Sequence, residues 1–216
     1  MRIRRKANTD KNLQSFLDFV TVEEIGAEKK GCWRKIFSDD LSREFFVELG
    51  TGKGDFITQL AEKNPDKNFL GLEMEKEVVL KAARKIQEKN LPNVRLAVFD
   101  INKISEIFAD GEVDRLYINF CDPWPKKRHF KRRLTYVKFL DMYQKILKPG
   151  GEIHFKTDNK NLFDFSLEQF AEKKFEVRDL TFDLHANEPA DNIRTEYENK
   201  FSAQGFKINR CVVIVK

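Results

Sequence analysis

The sequence is poor in the residues that would build a disulfide framework or a zinc site. It has three cysteines in 216 residues, Cys32, Cys121 and Cys211, far apart and with no Cys-x-x-Cys pair. No metal is expected. No run of about 18 apolar residues occurs, which excludes a membrane-spanning helix. The start, Met1-Arg2-Ile3-Arg4-Arg5-Lys6, is basic but lacks the apolar stretch of a signal peptide. Internal repeats, low-complexity segments and a recognisable linker are also missing. These absences point to a soluble, cytoplasmic protein folded as a single domain over residues 1–216. A basic N-terminal tail of about 20 residues is expected to be flexible when nothing is bound. The sequence leaves monomer and homodimer open.

What is present in quantity is charge and phenylalanine. Charged residues make up 35% of the chain, and 20 Phe supply an aromatic-rich core. Arg2, Arg4, Arg5 and Lys6 form one cationic stretch, and Lys126, Lys127, Arg128, Lys131, Arg132 and Arg133 form another. Neither holds an acid. Against a formal net charge of +5, these ten cations leave the remainder of the chain at −5. Cations gathered on an otherwise acidic body suit a nucleic-acid footprint, although a solvated charge run accounts for the charge equally well.

Short apolar runs alternate with amphipathic ones. The runs at 44–49, 68–73, 94–99, 115–120 and 152–156 read as strands. Val78, Val79, Ala82, Ala83 and Ile86 keep helical spacing, as do Phe139, Leu140, Tyr143, Ile146 and Leu147. Lys148-Pro149-Gly150-Gly151 stops the latter helix. Strands alternating with helices imply βαβ units and a parallel sheet. Two further strand-like runs, 175–180 and 206–215, flank a polar stretch from His185 to Gly205, which is too long for an idle connection.

Gly50-Thr51-Gly52-Lys53-Gly54 follows the first run and opens a helix. The spacing differs from the Gly-x-Gly-x-x-Gly that seats a pyrophosphate, and the Gly-Lys-Ser/Thr of a Walker loop is absent. A plain strand–helix turn would also use such glycines. Carboxylates weigh against that alternative. Glu48 precedes the loop, Glu73 closes the second strand and Asp100 the third, where ligands of open α/β sheets bind. An acidic rim suits a nucleoside with a cationic tail, and S-adenosylmethionine is such a molecule.

Asp122-Pro123-Trp124-Pro125-Lys126 follows the fourth strand. Two prolines stiffen this turn, place Asp122 at the active edge and project the basic run outward. Trp124 is expected mainly to pack, and His129 to be a surface or backbone contact. Asp158-Asn159 precedes a helical run, so Asp158 reads as a helix cap or a substrate contact. Thr195-Glu196-Tyr197-Glu198 has the spacing of a capping box.

Four blocks resemble the bacterial tRNA (guanine-N7-)-methyltransferases of the TrmB type: 48–54, 119–129, 155–159 and 195–198. The resemblance runs from about residue 44 to the C-terminus. The second and third blocks are specific, whereas the first is shared by many methyltransferases. Cys121 stands where members of the family often carry Ser. The resemblance implies an α/β, Rossmann-like class I methyltransferase fold with a seven-stranded, mostly parallel sheet whose last strand is antiparallel. It also implies methylation of guanine N7 at position 46 in the tRNA variable loop. By motif, Glu48, Gly50, Gly52, Glu73, Asp100 and Asp122 would hold S-adenosylmethionine, with Asp122 at the reacting centre. Lys126, Asp158, Thr195, Glu196, Tyr197 and Glu198 would hold the substrate. Arg128, His129, Phe130, Lys131, Arg132 and Arg133 would grip RNA. Asp158 or Glu198 is expected to accept the guanine N1 and N2 hydrogens. Methylation of another RNA and a non-catalytic RNA-binding role are the competing readings.

Overall fold

The computed structural model describes residues 8–22, 29–37 and 40–216. The cationic residues Arg2, Arg4, Arg5 and Lys6 lie outside the described residues. The chain divides between Phe108 and Ala109 into two compact units.

The first unit contains α1 (Thr9–Leu13), β1 (Val20–Thr21), α2 (Trp33–Phe37), β2 (Phe45–Leu49), α3 (Asp55–Lys63), β3 (Asn68–Glu73), α4 (Lys76–Glu88), β4 (Val94–Val98) and α5 (Ile104–Ile107). Its strands are parallel throughout, in the order β1-β4-β3-β2. β2 is buried along its whole length, as expected for a strand covered on both faces. Val79, Ala82, Ala83 and Ile86 form the buried stripe of α4. Trp33 and Phe45 stack at 6.5 Å, and the Trp33 indole donates to the Ile107 carbonyl at 2.7 Å.

Residues 8–20 differ from the expected flexible tail. Leu13, Phe16 and Val20 are buried, and the Lys76 ammonium pairs with Asp10 at 2.6 Å. Three apolar side chains at suitable spacing anchor this segment.

The second unit contains β5 (Val113–Asn119), α6 (Val137–Ile146), β6 (Leu147–Thr157), α7 (Lys160–Glu172), β7 (Glu176–Thr181), α8 (Glu196–Ser202) and β8 (Asn209–Ile214). β5 and β6 are parallel, while β8 lies between β6 and β7 and runs antiparallel to both. The last strand is therefore antiparallel, as expected. Phe139, Leu140 and Tyr143 on α6 and Leu162, Phe163 and Phe170 on α7 are buried. So are Leu116, Ile118, Ile153, Phe155, Cys211 and Val213 on the strands. The described residues hold eight strands, one more than the seven expected. The extra one is β1, whose two residues are too few to show alternation in a sequence.

Candidate functional site

In the first unit the register of the parallel strands sets the site. Glu48 is level with Gly71, Leu49 with Leu72, and Glu73 with Val98, so the carboxyl ends of β2, β3 and β4 finish together. The Leu72 carbonyl accepts from the Gly50 and Thr51 amides at 2.8 and 3.0 Å, which pins the glycine loop across that edge.

The three loop glycines all have positive φ but serve different needs. A Cβ on Gly54 would lie 2.8 Å from the Ala82 Cβ, so this position is required by the close approach of α3 and α4. A Cβ on Gly50 or Gly52 would meet nothing within 4 Å, so both face open room. Glu73 borders that room. Its Oε2 accepts from the Gly52 amide at 3.2 Å, and its Oε1 from the Met74 and Glu75 amides at 2.8 and 3.1 Å. A carboxylate offers about four lone-pair positions, so these three bonds leave about one, on Oε2, for a ligand hydroxyl. Glu48 is buried and accepts from the Thr51 hydroxyl at 2.5 Å. Asp100 lies two residues past the end of β4. Its Oδ1 caps the short 3-10 turn at Ile101–Lys103 by accepting from the Asn102 amide at 3.0 Å, and its Oδ2 is not used in that cap. Open space above a positive-φ backbone, bordered by the Glu73 carboxylate, fits S-adenosylmethionine.

In the second unit, β5 runs into the Asp122 turn. Two aromatic residues flank this acid in left-handed backbone geometry, Phe120 at φ 50° and Trp124 at φ 41°. Such geometry is costly for bulky side chains and persists only where surroundings impose it. The Phe120 ring stacks on Tyr197 at 6.5 Å and on Phe201 at 6.3 Å. The turn itself is gripped by Arg133, whose guanidinium donates to the Pro123 carbonyl at 3.0 Å and lies 4.4 Å over the Phe165 ring. Arg132 covers the Trp124 ring at 5.0 Å, and His129 meets its edge at 5.7 Å.

The basic run 127–132 forms a 3-10 helix, and its members part ways. Lys126, Lys127, Arg128, Lys131 and Arg132 are exposed, as is Asp122. Phe130 packs on Tyr136 at 5.2 Å and on Phe165 at 6.4 Å, and Arg133 points back into the turn. Of the six residues expected to grip RNA, these two serve the turn itself in this structure. Trp124 packs, in line with the expectation for it. Desolvation, with the Asp122 charge second, pushes the Cys121 thiol up to about 12, so no thiolate nucleophile stands beside Asp122 at neutral pH.

Asp158 is not the helix cap. That role belongs to Asn159, whose Oδ1 accepts from the Leu162 amide at 2.8 Å. Burial raises the Asp158 pKa above the usual aspartate range. Thr195 does cap α8, accepting from the Glu198 amide at 2.9 Å. Glu198, expected to meet guanine, is fully buried. Its Oε2 accepts from Lys156 at 2.8 Å, and its Oε1 meets His185 Nε2 and Asn192 Nδ2, each at 2.9 Å. It reaches a guanine only if one of these partners lets go. Tyr197 is half exposed, and Glu196 lies beside it at the start of α8. Lys156, His185 and Asn192 were not singled out by the sequence. The available signal was the polar alternation Glu152, His154, Lys156 against Ile153, Phe155 on one strand.

Residues 42–211 match the family model described as a putative methyltransferase. Curated tRNA (guanine-N(7)-)-methyltransferases are similar over nearly the whole chain. The one from Brevibacillus brevis is 45% identical, over 99% of this chain and 100% of its own. The one from Clostridioides difficile is 46% identical, over 98% and 97%. Among solved structures, the aminoglycoside resistance methyltransferase NpmB1 has a TM-score of 0.61 at 18% identity, covering 85% of this chain and 93% of its own. A SAM dependent methyltransferase from Aquifex aeolicus has a TM-score of 0.55 at 15% identity, covering 98% and 100%. At those identities the likeness shows the class I methyltransferase fold alone. Full-length identity near 45% shows more, and the chain belongs to the tRNA (guanine-N(7)-)-methyltransferase family.

Proposed function

We propose that the protein transfers a methyl group from S-adenosylmethionine to N7 of the guanine at position 46 in the tRNA variable loop, working in the cytoplasm as one catalytic domain. The observation that carries this reading is the near-complete overlap with curated relatives of that name. When bound, S-adenosylmethionine supplies a methyl group already activated by its sulfonium charge. Guanine N7 keeps a free lone pair at neutral pH, so no proton has to leave before attack. The chain's residues therefore need to align and to stabilise charge, and alignment alone is worth roughly 7–11 kcal/mol of barrier.

In this reading Glu48, Glu73 and Asp100 hold the donor around the open space above Gly50 and Gly52. Asp122 is the acid at the reacting centre. It moves no proton, and its negative charge opposes the positive charge that develops on the guanine ring. Asp158 accepts the guanine N1 and N2 hydrogens, which adenine does not offer in that pattern. Glu196 and Tyr197, held at the start of α8 by the Thr195 cap, complete the substrate side. Lys126, Lys127, Arg128, Lys131 and Arg132 take phosphates, which fixes register while carrying little sequence information. No helix among the described residues is long and apolar enough to cross a membrane.

The test is methylation of an unmodified tRNA transcript beside one in which adenine replaces the variable-loop guanine. The first is expected to take up label from S-adenosylmethionine and the second to take up none. Equal labelling of both contradicts the site.

A further inference from the structure

The stretch from His185 to Glu198 carries the start of α8 but has little regular structure of its own, only a 3-10 turn at Leu184–Asn187. Within it one apolar side chain, Ile193, is buried, and Leu184 is buried just ahead of it. What else holds it is a charge network. The Lys156 ammonium sits near the end of β6, its side chain only 7% exposed. It has three hydrogens and meets three acceptors: Asn192 Oδ1 at 2.9 Å, the Ile193 carbonyl at 2.9 Å and Glu198 Oε2 at 2.8 Å. Each of these lies on the strap. From there the network spreads outward. Asn192 Nδ2 donates to both Glu198 Oε1 and Glu188 Oε1, and Arg194 pairs with Glu188.

His185, Glu188 and Glu198 bring ligand atoms within 4.8 Å of one another, which resembles a cation site. The cations and donors of the protein already meet those atoms, Lys156 and Asn192 at Glu198 and Arg194 at Glu188. The cluster is a closed internal network.

A buried Lys–Glu pair is a poor way to gain stability, because a well-packed apolar pair of the same volume is commonly as good or better. Apolar packing, however, does not fix direction. An ammonium with three directed bonds holds a strap in one register. We propose that Lys156 is a positioning residue. Acting through Glu198 and Asn192, it fixes the 185–198 strap, and so the place of Glu196 and Tyr197, for a substrate that those two contact. The proposal rests on the tRNA-methylating reading for its effect on rate, but not for its effect on the strap.

The experiment compares the wild type with Lys156→Ala by amide hydrogen exchange, S-adenosylmethionine affinity and tRNA methylation, with and without n-propylammonium to refill the vacated space. Faster exchange confined to 185–198 is expected, with α7 and β5 unchanged and S-adenosylmethionine affinity within about twofold. Loss of alignment predicts a fall in kcat/KM of about 100-fold. n-Propylammonium restores both strap protection and rate, and tetramethylammonium, which has no N–H, restores neither. Unchanged exchange in the strap overturns the proposal. So does loss of protection across the whole chain that propylammonium leaves uncorrected, since that is a purely structural role. If the wild type leaves tRNA unmethylated, the functional reading fails, and the strap protection and its rescue still decide the role of Lys156.

Discussion

Asp158 and the loop glycines show how much rests on single positions. Burial raises the Asp158 pKa, and only the ionised carboxylate accepts two hydrogens from guanine. Activity should therefore fall as pH drops through that raised pKa, giving an acid limb above the ordinary aspartate value of about 3.9. Asp158→Asn should remove the limb and lower kcat/KM about 10- to 100-fold, the worth of a charged hydrogen bond. A pH–rate profile identical to the wild type would remove Asp158 from the substrate. The glycines separate stability from binding. Gly54→Ala places a Cβ 2.8 Å from Ala82 in a left-handed backbone and should cost about 2–3 kcal/mol in a denaturant melt. Gly52→Ala meets no atom of the protein, so its folding cost is that of the backbone alone, about 1–2 kcal/mol. Its larger effect should be on S-adenosylmethionine affinity, measured by calorimetry, because the methyl enters the open room beside Glu73.

At the scale of elements, the Asp122 turn and the helix after it act as one piece. Exposed cations lie on one part, and Arg133 and Phe130 brace the other. Replacing Lys127, Arg128, Lys131 and Arg132 with Ala should flatten the salt dependence of tRNA binding by roughly 0.7–0.9 in log–log slope for each phosphate left without its cation. Arg133→Ala should act differently, lowering kcat with little change in that slope. An equal fall in slope for Arg133 would make it a phosphate ligand. The sequence revealed where this piece lies but not how its cations divide, because six like charges between Lys126 and Arg133 say nothing about which of them folds back onto a carbonyl. The strands from β2 to β8 and the helix stripes of α4 and α6 were legible from apolar spacing. β1 was too short to be legible. Asp158 and Asn159 were ambiguous as neighbours, since either side chain can cap a helix, and only the hydrogen bond to Leu162 separates them. Of the Lys156 network, the polar alternation on β6 marked Lys156 alone, and the pairing was not legible, since its members are spread from residue 156 to 198.

Across the whole molecule, acid sensitivity follows from paired carboxylates. The His154 hydrogen bond and then the Arg115 charge hold Glu152 down at about 2. Burial alone would push Glu198 up, but the Lys156 charge and the bonds from Lys156, His185 and Asn192 outweigh it and hold its pKa down. A depressed carboxylate contributes stability in full above its unfolded pKa, about 4.3 for Glu, and loses it as pH falls through the folded value. Melting temperature should therefore decline below about pH 4 and continue to decline toward pH 2. Glu152→Gln should flatten the lower part of that decline, and an unchanged pH profile in this variant would contradict the pairing.

The proposed reaction places a methyl group on one nitrogen of one guanine. Its most direct measurement maps the modified nucleotide after incubation of unmodified tRNA with S-adenosylmethionine, by borohydride reduction and aniline scission, chemistry that cleaves at 7-methylguanosine. A single new break is expected at the variable-loop guanine, absent when S-adenosylmethionine is omitted. Breaks elsewhere, or methyl incorporation without any break, would contradict it.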